Sequence, residues 1–103
     1  MSFNGNENHD IDLATASEWT SNYRNANPGA IKGHYFGKNA IESILSQEGT
    51  VGIRIYYALN DRGEKQLIIT GVDSYENDLY NGQLAEKSQL CPPKCGLDNP
   101  LNS

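Results

Sequence analysis

Histidine and cysteine each occur only twice in this 103-residue chain, basic side chains only eight times, and no apolar run approaches the roughly 18 residues that cross a bilayer as a helix. Each scarcity removes a class of function. Eight Lys and Arg against 13 Asp and Glu leave a net charge of -5. Such a surface offers little to a nucleic-acid backbone or an anionic membrane, both of which need a cationic face. Neither nucleic acid nor membrane is therefore an expected partner. The N-terminus lacks the basic-then-apolar pattern of a secretory signal, so the expected address is the cytoplasm. Thiols stay reduced there, and a permanent bridge between the two cysteines is not expected.

Leu, Ile, Val and Phe make up about a fifth of the chain, near the composition at which disorder sets in, but they concentrate in its middle. This predicts a flexible N-terminus over residues 1–11, a single α+β domain over residues 12–85 and a C-terminal arm over residues 86–103. Thr15 to Glu18 has the pattern of a capping box opening a helix to about Asn25, with Ala16, Trp19 and Tyr23 as its apolar stripe and Asn27-Pro28-Gly29 as its stop. A second helix is predicted from Lys38 to Gln47, carried by Ala40, Ile41, Ile44 and Leu45 and ended by Gly49.

Val51, Ile53, Ile55, Tyr57 and Leu59 alternate with Gly52, Arg54, Tyr56 and Ala58, the period of a half-buried strand. Asn60 to Gly63 supplies a turn, and Leu67 to Val72 a return strand that is apolar on both faces and so expected inside the sheet. A lone hairpin is marginal in water, and Tyr35-Phe36 or Asp78 to Tyr80 is expected to add a third strand. The predicted fold is thus α+β: two helices followed by an antiparallel hairpin within a small sheet.

The blocks Trp19-Thr20-Ser21-Asn22-Tyr23-Arg24, Asn27-Pro28, Phe36-Gly37, Gly52-Ile53-Arg54-Ile55-Tyr56-Tyr57, Gly71-Val72-Asp73 and Cys91-Pro92-Pro93-Lys94-Cys95 together resemble those of a group of small uncharacterised bacterial proteins. The resemblance covers about Leu13 to the C-terminus. It implies no activity, cofactor or catalytic residue.

Four chemistries compete for the remaining motifs. Cys91 and Cys95 are separated by three residues rather than the two of a redox couple, and two of those are prolines, whose extended preference opposes ring closure. They read as a structural or reduced pair, with reversible thiol chemistry as an alternative. Zinc would need four ligands, and only His9 and His34 could join the two thiols within one chain. His34 is the one well-placed general base, but no motif fixes a nucleophile beside it, and a His among aromatics is more often structural. Asp73, Asn77 and Asp78 faintly follow a calcium loop but depart from it at Tyr75, Asp78 and Leu84, so that a turn is the better account.

No cofactor and no catalytic set is expected. An aromatic sheet face bearing Arg54 and Tyr56, residue types favoured at interface hot spots, joins Cys91, Pro92, Pro93 and Cys95 of the arm as the expected interaction surface. The alternative for that face is a structural one, with Arg54 bonded to a carboxylate. The expected function is a non-enzymatic protein-interaction module whose partner is another protein or itself, including as a homo-oligomer.

Overall fold

Asp12, rather than Thr15, starts the first helix in the computed structural model, which describes residues 2–102. Its carboxylate accepts from the Thr15 backbone N–H at 2.7 Å and occupies a donor that the first turn would otherwise leave unpaired. This hydrogen bond to the backbone also lowers the Asp12 pKa. Helix α1 therefore spans Leu13–Ala26, and the expected capping box lies inside it.

The order that follows is β1 (Gly33–Tyr35), α2 (Lys38–Leu45), β2 (Thr50–Leu59), β3 (Lys65–Asp73), β4 (Leu84–Ala85) and β5 (Gln89–Cys91). Two helices with small antiparallel sheets make the class α+β. The division of the chain differs from the expected single domain over 12–85. One unit consists of residues 2–7 and 36–88, and the other of residues 8–35 and 89–102.

In the first unit the sheet order is β2-β3-β4, so the return strand is interior, as its two-faced apolar character predicts. The turn holds because Asn60 Oδ1 accepts from the N–H groups of Arg62 and Glu64, each at 2.9 Å, and Gly63 takes a positive φ. The third strand is not either expected segment. Leu84–Ala85 pairs with β3, while Asp78 makes only an isolated bridge to Val72.

The core of this unit is small: Ile44 of α2 with Ile69 and Val72 of β3. Gln47, just past α2, fastens the helix end to the chain before β4. Its Oε1 accepts from the Gln83 N–H at 2.8 Å, and its Nε2 donates to the Ile44 carbonyl at 2.9 Å. Gly71 lies beneath it, where a Cβ would come within 3.1 Å of Gln47 Nε2. Residues 2–7, expected to be untethered, run along this unit, where the N–H groups of Ser2 and Phe3 donate to the Ser74 carbonyl.

In the second unit β1 pairs antiparallel with β5, placing Gly33 opposite Cys91 and His34 opposite Leu90. The expected C-terminal arm is thus part of a folded unit from Gln89 onward. The more shielded residues of α1 are Thr15, Ala16, Ser17, Thr20, Ser21 and Arg24; of the expected stripe Ala16, Trp19 and Tyr23 only Ala16 is among them, and Trp19 and Tyr23 are exposed. Against these residues the C-terminal segment is held by hydrogen bonds to its carbonyls: Ser17 Oγ to Pro100 at 3.2 Å and Arg24 Nη1 to Leu101 at 2.8 Å.

Candidate interaction surface

β2 is the outer strand of its sheet, and this decides what its side chains can do. Its register sets Ile53 opposite Gly71, Ile55 opposite Ile69, Tyr57 opposite Leu67 and Leu59 opposite Lys65. Cross-strand partners share a face, so Ile53, Ile55, Tyr57 and Leu59 project on the same side as Ile69 and Gly71, the side where Gln47 lies. Helix α2 reaches β2 as well as β3, but the cover fades along β2 toward the turn. Exposure rises from 2% at Ile69 to 48% at its partner Ile55, and reaches 94% at Tyr57 and 69% at Leu59.

The strand start is different. A register shift interrupts pairing between Thr50 and Gly52, and Gly5 packs against the Val51 backbone so closely that a Cβ there would lie 2.8 Å from the Val51 carbonyl oxygen. Natural edges are commonly blunted by bulges, covering loops, Pro or inward charges. β2 has the first two devices at its start and none of the four on its apolar face from Ile53 to Leu59.

The opposite face carries Arg54 and Tyr56, and both converge on Asp78. Arg54 Nη1 donates to Asp78 Oδ1 and also to the Glu76 carbonyl at 3.3 Å, while the Tyr56 hydroxyl donates to Asp78 Oδ2. The Asp78 side chain is 22% exposed. The Tyr56 hydrogen bond, then the Arg54 hydrogen bond and charge, hold the Asp78 carboxyl below its ordinary value. The same carboxylate pushes the Tyr56 hydroxyl up. Arg54 and Tyr56 are therefore engaged within the chain; of the structural alternative, in which a helix covers this face and Arg54 bonds a carboxylate, the carboxylate bond is present, while Tyr56 stays 46% exposed.

A pH dependence follows with a definite sign. Below the ordinary carboxylate value of 3.8 the unfolded chain takes a proton that folded Asp78 resists, so the stabilisation is full above 3.8 and is lost as pH falls through the lowered folded value. Tyr56 acts at the other end: its contribution is present below 10.0 and is lost as pH rises through its raised folded value. Asp78→Asn is expected to flatten both limbs of a plot of thermal midpoint against pH. Superimposable wild-type and variant curves would remove Asp78 from this role.

The cysteines are not a reduced pair. Cys91 and Cys95 form a disulfide, with Cα atoms 4.7 Å apart, and both peptide bonds leading into Pro92 and Pro93 are cis. Around this ring the Lys94 N–H donates to the Leu90 carbonyl at 2.9 Å, the Lys32 N–H to the Cys91 carbonyl at 2.6 Å, and Asn102 Nδ2 to the Cys95 carbonyl at 3.2 Å. The ring therefore sits where β5, the approach to β1 and the chain end meet. In the same unit Trp19, Thr20, Tyr23, Arg24, Lys32 and Leu101 line a cavity of about 200 Å³, with Lys32 Nζ donating to the Asn102 carbonyl at 2.9 Å.

Glu42 and Asp73, the carboxylates expected as possible acid–base partners of His34, belong to the unit of residues 2–7 and 36–88, whereas His34 lies in that of residues 8–35 and 89–102. Asp73 Oδ1 accepts from the N–H groups of Tyr75 and Asn77, each at 2.9 Å, the bonding of a turn rather than of a calcium loop. Among the described residues no group of three or more His, Cys, Asp or Glu side chains is placed to hold a metal ion. No helix of the described residues is long and apolar enough to cross a membrane.

No family model, curated protein or solved structure matches the chain. The sequence reading placed the interaction surface on Arg54, Tyr56 and the cysteine ring, and the structure puts these in separate units. The exposed apolar strip was assigned to the core instead. Strand periodicity identifies which side chains share a face, but covering that face is the work of α2, which reaches only part of it.

Proposed function

We propose that the chain is a protein-interaction module whose docking surface is the outer edge of β2 with its apolar strip Ile53, Ile55, Tyr57 and Leu59. The observation carrying this reading is the near-complete exposure of Tyr57 on an unprotected edge strand. Such an edge offers a partner main-chain hydrogen bonds, while alternate side chains supply apolar contacts. Arg54, Tyr56 and Asp78 brace the other face rather than forming the hot spot. The ring at Cys91, Pro92, Pro93 and Cys95 belongs to the other unit and holds the chain end there.

Comparing wild type with a Tyr57→Lys, Leu59→Lys double variant tests the proposal. Proteins retained on the immobilised wild type are expected to fall at least tenfold on the variant, with circular dichroism unchanged. Equal retention rejects the surface.

The closed disulfide supports a second reading, reversible thiol chemistry at Cys91 and Cys95, over the zinc alternative, because sulfurs bonded to each other are not thiolate ligands. It also opposes a cytoplasmic address, where thiols are held reduced. Counting free thiols in protein alkylated inside its native cell decides the state: none for the closed ring, two for the cytoplasmic expectation.

A further inference from the structure

We infer that the β2 edge is self-complementary, and that its occupant is β2 of a second copy of this chain, paired antiparallel about Tyr56. The inference rests on the interaction reading above and names its partner.

The free edge has two ends set by the structure. Gly5 and the register shift cover it up to Val51, and the turn begins at Asn60, leaving the eight residues Gly52 to Leu59, within which the four apolar side chains Ile53, Ile55, Tyr57 and Leu59 are centred on Tyr56. A two-fold axis there makes the contact isologous, each residue meeting the one equally far beyond the midpoint. Ile53 then faces Leu59 of the other copy, and Ile55 faces Tyr57. All four apolar residues find apolar partners, the pairings that stabilise antiparallel ladders.

Charge selects this register over its neighbour. Arg54 is the only charged residue in the window. Pairing about Tyr56 sets it opposite Ala58 and keeps the two arginines four register positions apart. Pairing about Ile55 would set Arg54 opposite Tyr56 and bring the two arginines to diagonal positions, only about 7–8 Å apart in Cα spacing, and would leave Leu59 beyond the matched apolar window. Each Arg54 also keeps its own Asp78, so the strip carries no unneutralised charge against the overall charge of -5.

The available area suits a modest dimer. Two Tyr57 rings supply up to about 300–500 Å². Ile53, Ile55, Leu59 and the strand edges of both copies bring the total toward the lower bound of about 1,200 Å² for a specific interface. A dissociation constant on the order of 10 μM matches an interface at that end of the range.

Sedimentation equilibrium on the full chain tests this. The wild type is expected to move from monomer to twice the monomer mass between about 1 and 300 μM, the span bracketing such a constant. Ile55→Lys and Tyr57→Glu are each expected to weaken the dimer at least tenfold. The Ile55→Lys, Tyr57→Glu double variant is expected to recover most of that loss, because in this register each lysine faces a glutamate of the other copy, and it does so twice.

A wild type that stays monomeric throughout overturns the inference, and so does a double variant as weak as its parents. Should a charged variant fail to fold, hydrogen exchange on the wild type serves instead. The β2 amides turned away from β3 gain protection as concentration rises, and protection independent of concentration overturns the pairing. Failure here remains distinct from failure of the interaction reading. A monomeric wild type whose retained partners still depend on Tyr57 and Leu59 loses only the self-pairing.

Discussion

Ile44→Ala is expected to destabilise the unit formed by residues 2–7 and 36–88 by about 2–5 kcal/mol, the cost of emptying an enclosed aliphatic site that its surroundings refill only in part. Ile44 is fully buried, and Ile69 and Val72 are the only other buried hydrophobic side chains among the described residues, too few to redistribute the loss. A domain is stable by only about 5–15 kcal/mol, so a value in the upper half of that range would bring this unit near its unfolding threshold at ordinary temperature. Urea unfolding followed by far-ultraviolet circular dichroism, with hydrogen exchange of the β3 amides as a local probe, measures it. Ile44→Val should cost far less, about 0.5–1.5 kcal/mol, because one methylene is removed. Equal effects of the two substitutions would mean that the helix is not seated through this side chain.

Opening the Cys91–Cys95 ring is expected to cost about 2 kcal/mol in the other unit, the chain-entropy value for so short a loop. The ring lies where the Lys32 N–H, the Lys94 N–H and the Asn102 side chain all attach, so its loss loosens β5 and the chain end together. Trp19, the only tryptophan, reports on this unit alone by its position in α1. The midpoint of its fluorescence transition in denaturant should fall on reduction and fall equally in a Cys91→Ser, Cys95→Ser variant. A transition indifferent to both treatments would show that the hydrogen bonds around the ring suffice without it.

These two sites differ in how far they were legible beforehand. The hairpin was readable because alternation from Val51 to Leu59, the Asn60 to Gly63 turn and the apolar return strand are local signals that agree with one another. Ile44 was readable too, from the spacing of the second helix. The start of α1 was missed by a small margin, since Asp12 and Thr15 are both good caps and only the structure shows which carboxylate or hydroxyl is used. The role of the C-terminal segment was not legible at all. β5 is three residues long, and its partner β1 lies on the far side of the other unit in sequence, so nothing local marks either as a strand.

The interaction surface was half legible. Alternation along β2 places Arg54 and Tyr56 on one face, and a carboxylate partner for Arg54 is among the expectations, but nothing local names Asp78 or ties Tyr56 to the same carboxylate. The strip on the opposite face was assigned to the interior because Ile, Tyr and Leu at every second position ordinarily mean burial. Whether a face is buried depends on how many strands a helix can cover, and α2 has only eight residues.

The interleaving of the two units imposes an order on synthesis at the ribosome. α1 and β1 emerge early, yet β5 and the carbonyls that hold α1 are made last. The nascent chain must therefore finish α2, β2 and β3 while its first helix has nothing to dock against. Closing the span from β1 to β5 is a long-range step, of the kind that slows folding when sequence separation is large. A premature stop between Asp73 and Gln89 yields a chain with its hairpin complete and its opening segment without the partner strand and carbonyls that hold it.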